Sequence, residues 1–416
     1  MTDINDKYSD GKEELSETGE PVGIEADYDE EELEPFDPNE ISIHQKVVSM
    51  DVIIRRLAQN SIKLSPSFQR REVWDVTRKS RLIESIMLNI PLPMFYVAAD
   101  EKGNWEVVDG LQRLSTIRDF MIPNSKGERL KLKNLEFLGS RYDNKSFDEI
   151  ENDASEQRLV NSIYETEMRF TVINPGTPES VKRNIFKRLN TGGMPLTSQE
   201  IRHALYEGIS SNLLQELVAS DSFVEAIGKR INDSRMSASE LVLRLVSFMI
   251  QDRKNYKPGM DTWLSNAMRI LNCFPSPTDE QLKRIYARED VPEILITDIN
   301  EIKRKFHLAM NRGREFFDGH AFRKSLNGEE RKSPVNKSLF EVWGNILAVM
   351  PEQKFEALKE RKFDFIKGYK KLLSDNEFNN AISRHSSTTK GIVFSYSELM
   401  NLIDITLHGG DSDRFY

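Results

Sequence analysis

The run Val108-Asp109-Gly110-Leu111-Gln112-Arg113 brings a carboxylate, a glycine, an amide and a guanidinium together where an extended segment gives way to a helical pattern. A strand that ends in Asp-Gly and feeds a helix can hold an anion, because the first N–H groups of the helix lack intrahelical acceptors and carry the positive end of its dipole. Gly110 would let a phosphate approach the backbone. Arg113, one turn inside, is placed to send its fork back toward that phosphate, and Gln112 can give a neutral hydrogen bond or orient a water. Asp109 has two readings. A carboxylate beside a phosphate repels it unless a divalent cation bridges them or the acid activates water; otherwise it is simply an N-cap.

The elements that must position these residues follow from periodicity. Val48, Val52, Ile53 and Leu57 predict a helix over 47–59. Ser61 to Phe68 alternates as a strand that Pro66 interrupts or places at an edge, with Gln69-Arg70-Arg71 at its end. Thr77 is the expected N-cap of a helix to about Leu88. Met94–Ala98 and Trp105–Val108 predict a hairpin that runs into Asp109-Gly110, and Leu111, Leu114, Ile117 and Met121 give the following helix its stripe. Residues 122–160 read as polar and irregular, and 167–173 as a strand. Thr177-Pro178 opens a helix carrying Val181, Ile185 and Leu189 to the Gly192-Gly193 stop. Thr197-Ser198-Gln199-Glu200 has the form of a capping box.

Beyond residue 209 helical patterns dominate, at 213–219, 238–250, 263–271, 299–317, 339–350, 355–374 and 396–408. The expected organisation is a disordered acidic tail over 1–40, a mixed domain over 41–208 and a mostly helical domain over 209–416, an α+β chain.

Composition excludes several classes. No apolar run approaches the roughly 18–20 residues of a membrane span, and the first thirty residues are too acidic and polar for a secretory signal, so a cytoplasmic location is expected. The single cysteine, Cys273, rules out an internal disulfide and any multi-cysteine metal site, and reads as a small core residue. His44, His203, His307, His320, His385 and His408 show no zinc spacing and no HNH nuclease motif. The net charge of −9 hides an asymmetry: residues 1–40 hold sixteen acids against Lys7 and Lys12, a charge of −14, so the remaining body is +5. That body would tolerate phosphates, although an ordinary mixed surface accounts for it equally well.

Three blocks together resemble the amino-terminal domain of GmrS/GmrD-type restriction and phage-defence proteins. The first is Pro66-Ser67-Phe68-Gln69-Arg70 with Trp74, Leu82-Ile83-Glu84-Ser85-Ile86 and Ile90-Pro91-Leu92-Pro93. The second is Val108 to Leu114. The third is Phe186-Lys187-Arg188-Leu189-Asn190-Thr191-Gly192-Gly193, then Pro195-Leu196-Thr197 and Glu200-Ile201-Arg202. The resemblance implies a ParB/sulfiredoxin-like fold that binds nucleoside triphosphate with Mg2+ and, in several branches, hydrolyses it during restriction of foreign DNA. It assigns Asp109 and Gln112 to catalysis and Asp109 to the metal. It assigns Gln69, Arg70, Gly110, Arg113, Arg188 and Asn190 to the nucleotide. The family's usual block is Asp-Gly-Gln-Gln-Arg; this chain has Leu111 in place of the first glutamine, which puts hydrolysis in question.

By side-chain chemistry alone, Phe186 reads first as a core residue beneath Asn190 on one helix face. Arg188 and Arg202 read as phosphate ligands or as salt-bridge partners. The expected function is a nucleotide-binding component of a bacterial or phage-borne defence system. Since many relatives carry an HNH nuclease that this chain lacks, a separate effector or nuclease subunit is expected. Two alternatives stand beside it. One is a metal-dependent DNA-nicking nuclease with Asp109 and Glu84 on the ion. The other is a non-catalytic DNA adaptor that uses Lys303-Arg304-Lys305 and Arg331-Lys332 to Lys337.

Overall fold

The structure, a computed structural model, describes residues 23–25, 42–64, 74–178, 181–185, 197–228, 235–286, 291–326 and 332–408. It divides into two compact units: Glu34–Leu196, and Met1–Leu33 together with Thr197–Tyr416. The division falls at 196/197, ahead of the 208/209 boundary read from the sequence, and the segment before residue 34 is grouped with the helical unit.

The first unit is α+β. Its strands are β1 (Ile43–Ser49), β2 (Ile62–Lys63), β3 (Phe95–Ala99), β4 (Trp105–Asp109) and β5 (Glu167–Ile173), in the sheet order β1-β5-β3-β4-β2. The β1/β5 and β3/β4 pairs are antiparallel; β3/β5 and β2/β4 are parallel. Helices α1 (Met50–Ala58), α2 (Val76–Met87) and α3 (Leu111–Met121) share one core with the sheet. Its centre is Phe170, with Phe95 stacked at 5.0 Å and Trp105 at 5.1 Å between ring centroids.

Several local expectations need correcting. Val47 and Val48 belong to β1, because the seven residues from Ile43 pair with β5; the helix starts only at Met50. The cap of α2 is Asp75, whose carboxylate accepts from the Arg78 N–H at 2.7 Å, and Thr77 lies inside the helix. Residues 122–160 are ordered by short helices, α4 (Gly139–Tyr142), α5 (Phe147–Glu151) and α6, which begins at Gln157 and runs to Glu165. Phe147 and Ile150 are buried there, and the reciprocal Ser146/Glu149 capping box was the overlooked signal. The Pro66 strand interruption and the Gly192-Gly193 stop lie outside the described residues.

The second unit is helical, with Ser237–Ile250, Ile299–Phe317, Lys337–Val349 and Thr389–His408 among its longest helices. The pattern over 355–374 is two helices, Glu352–Glu360 and Lys362–Ser374, parted at Arg361. Trp343 and Tyr369 are buried in one aromatic cluster, the indole N–H donating to the Tyr369 hydroxyl at 3.1 Å. Cys273 is half-buried at the margin of the core, and burial pushes its thiol up. No helix among the described residues is long and apolar enough to cross a membrane.

Candidate functional site

The end of β4 is shaped by a break in strand register. Val97 of β3 stands opposite Val107, but Tyr96 stands opposite Asp109, so Val108 is an extra residue on β4. Such a bulge re-aims the side chains beyond it. Val107 and Val108 are both buried, and Asp109 comes out half-exposed at the strand end rather than continuing the inward alternation of Trp105 and Val107.

Gly110 then turns the chain into α3. Its φ is +95°, a left-handed value that favours glycine, and a Cβ there would lie 2.4 Å from the Phe95 ring. Gly110, not Asp109, is the N-cap of α3, and having no side chain it makes no side-chain cap bond. The Asp109 carboxylate instead takes Arg113 Nη2 at 2.8 Å, one helical turn on.

Arg113 is held on every side. Besides Asp109, it donates to the Pro93 carbonyl and, at 3.3 Å, to the Met94 carbonyl, and its guanidinium lies 4.4 Å from the Phe95 ring centre. Burial lowers its pKa, opposed by Asp109. The side chain therefore ties the β4–α3 corner to the turn before β3. The sequence reading aimed this fork at a phosphate; the structure shows it bound to the protein's own oxygens.

Gln112 reaches in another direction. Its Oε1 accepts from the Trp74 backbone N–H at 3.4 Å, which brings the chain just after the Gln69-Arg70 block to the mouth of α3. Leu111, where the resembled family has glutamine, is partly buried against the core of this unit. Gln69, Arg70, Arg188 and Asn190, like Phe186, lie outside the described residues.

The alternative readings lose most of their residues. Glu84 is buried, and its carboxylate accepts the backbone N–H groups of Glu136, Phe137 and Leu138 at 2.7–2.9 Å. Burial pushes that carboxyl up, but the three donors together outweigh it and hold the pKa below its usual value. Glu84 thus closes a loop, and its lone pairs are directed at the backbone rather than a metal. Among the described residues no group of three or more His, Cys, Asp or Glu side chains could hold an ion.

The proposed DNA-contacting lysines are also engaged: Lys303 with Glu216, Lys305 with Glu301 and Lys337 with Glu240. Arg304 is exposed, and Arg331 lies outside the described residues. In the helical unit Arg202 is buried against Gln199, Glu240 and Asp261. That settles its reading as an ion-pair partner.

Residues 54–207 match the family model of the GmrSD restriction endonuclease, N-terminal domain. Over these residues the chain is therefore similar to a restriction-endonuclease domain, as the three sequence blocks implied. A comparison with curated proteins finds no match to the chain.

Proposed function

We propose that this GmrSD-type domain binds a nucleoside triphosphate at the β4–Gly110–α3 corner, and that the chain is the nucleotide-reading component of a bacterial or phage-borne restriction system acting on foreign DNA. The observation that carries the reading is the first turn of α3 opening behind a left-handed glycine N-cap at the carboxyl end of a strand. Helix N-termini in that position supply both N–H donors and the positive dipole end to a phosphate.

Arg113 acts in this scheme through others: it fixes Asp109 and the Pro93–Met94 turn, so that phosphate contacts fall to the helix backbone and Gln112. The upstream Gln69 and Arg70, five and four positions before Trp74, are the nearest block in sequence to complete the phosphate shell, and Arg188 and Asn190 are assigned to the nucleotide by resemblance. A Mg2+ ion fits as a companion of the phosphates: such ions are held by one or two carboxylates plus substrate oxygens, and Asp109 offers one carboxylate. Bound there, the ion would neutralise phosphate charge during hydrolysis, while Asp109 anchors it and Gln112 orients water. Chemistry on DNA is assigned to a separate effector or nuclease subunit.

The test is to measure, on the full chain, binding of each of the four ribonucleoside triphosphates and phosphate release separately, with and without Mg2+ and DNA. Saturable binding of at least one triphosphate, weakened by Gln112→Ala, is expected; no binding of any would overturn the reading. Asp109→Asn should keep metal-free affinity and lose Mg2+-dependent turnover, and normal turnover in that variant would remove the carboxylate from the ion. Expressed alone, the chain should give no phage protection; protection by the single gene, with plasmid nicking by the pure protein, would place the nuclease in this chain.

A further inference from the structure

Gly23–Glu25, the described part of the acidic segment before residue 34, is built onto the helical unit. Ile24 forms a parallel bridge with Val335, the Glu25 N–H donates to the Val335 carbonyl at 2.9 Å, and the Val335 N–H donates to the Gly23 carbonyl at 3.1 Å. Val335 is at the same time bridged to Arg323 on its other side, so Gly23–Glu25 lies as an added strand on a two-residue ladder. Gly23 takes φ +124°, the left-handed side that favours glycine, and Ile24 packs against the helical core.

The carboxylate end is the most specific part. Glu25 receives Lys324 Nζ at 2.7 Å and Asn336 Nδ2 at 2.6 Å. Asn336 is only 2% exposed; its Oδ1 caps the helix starting at Lys337, and its Nδ2 also donates to the Ile382 carbonyl. With Glu25 withdrawn, a buried amide proton would lose its acceptor, and such a donor is costly to leave unmade. Lys324 Nζ is steadied by the Ser383 hydroxyl at 2.7 Å, so both donors are positioned by contacts that do not involve Glu25.

We propose that Val335, Lys324 and Asn336 form a peptide-docking slot that reads a short extended segment of the type glycine–aliphatic–carboxylate, and that the chain's own Gly23-Ile24-Glu25 fills it as a releasable latch. Recognition is by strand addition for affinity, with an apolar side chain and one charge for specificity. Residues 1–40, which include this segment, carry a net charge of −14.

Hydrogen exchange on the full chain tests the slot, with an internal control. The Val335 amide depends on the latch, whereas the neighbouring Asn336 amide donates to the Phe322 carbonyl at 2.9 Å and does not. Glu25→Lys should speed exchange at Val335 by roughly tenfold or more while leaving Asn336 unchanged. A synthetic peptide of residues 20–28 added to that variant should restore protection at Val335, and the same peptide with Ile24→Asp should not. Unchanged Val335 exchange in Glu25→Lys, or equal acceleration at Val335 and Asn336, would overturn the proposal. Protection in the wild-type chain that fades on dilution would overturn the assignment in cis, giving the slot to the arm of a second copy.

Discussion

Arg113 and Arg202 both come from sequence blocks that suggested phosphate binding, and both are held by the protein, but in opposite ways. Arg113 sits at a strand–helix corner with its side chain 12% exposed and most of its donors on backbone carbonyls. Arg202 is 2% exposed in the helical unit and meets two carboxylates, one of which, Glu240, is shared with Lys337. Burial pushes the Glu240 carboxyl up, but Lys337 and Arg202 outweigh it and hold the group well below the usual range. The first arginine shapes the corner where β4 turns into α3; the second completes an ion cluster. The difference lies in the partners, and no residue type reveals partners.

The largest effect should come from Arg202→Met, which leaves the half-buried Glu240 with one cation fewer. Breaking a buried pair from one side costs about 3–5 kcal/mol. Urea unfolding of the variant should show that loss; a change under 1 kcal/mol would mean that Lys337 alone holds Glu240 without it, and the contrast with Arg113 would disappear.

Gly110→Ala should come next. The added Cβ falls 2.4 Å from the Phe95 ring and the residue must hold a positive φ, so about 1–3 kcal/mol of destabilisation is expected. Phe95→Leu in the same chain should recover part of it. A stable Gly110→Ala that loses nucleotide would instead show that the glycine serves ligand approach alone.

Arg113→Ala should cost about 1–2 kcal/mol through the freed Asp109 and the Pro93 and Met94 carbonyls. Comparing its thermal unfolding with its nucleotide affinity sharpens the assignment. A tenfold affinity loss at unchanged stability would put the guanidinium on the phosphate after all.

The smallest effect is a pH dependence. The Glu84 pKa is depressed in the fold, so its contribution is present above the usual carboxylate value of 4.5 and is lost as pH falls through the lower folded value. Glu84→Gln should therefore be less stable than wild type at pH 7, and the gap should narrow in acid. A gap constant from pH 7 to pH 3 would mean that the charge is not what the three backbone donors hold.

Much of the site's scaffold could be read directly. The 95–109 hairpin and the helix after Gly110 were marked by strand alternation and then a three- and four-residue stripe. The strand 167–173 was also visible, and so was the Thr197/Glu200 capping box, whose N–H bonds are local. The short helices between 139 and 165 were missed because each spans only one to three turns, too few for a periodic pattern, and their burial depends on partners elsewhere in the unit. Val48 was misassigned for a related reason: its strand character exists only through pairing with Met168 of β5.

The sequence by itself determined that a mixed domain of GmrSD type precedes a helical half, that glycine stands where strand becomes helix, and that no cysteine or histidine metal centre of a known pattern is spelled out. Those properties rest on local periodicity, residue chemistry and counting. Only the tertiary structure decided that Val108 is an extra residue that swings Asp109 outward, that Arg113 spends its fork on Asp109 and the Pro93–Met94 turn, that Glu84 closes a loop, and that Glu25 is captured by Lys324 and Asn336 some three hundred residues away. Each of these turns on which oxygen or nitrogen comes within about 3 Å of a charged group, and that distance is set by packing between segments remote in the chain.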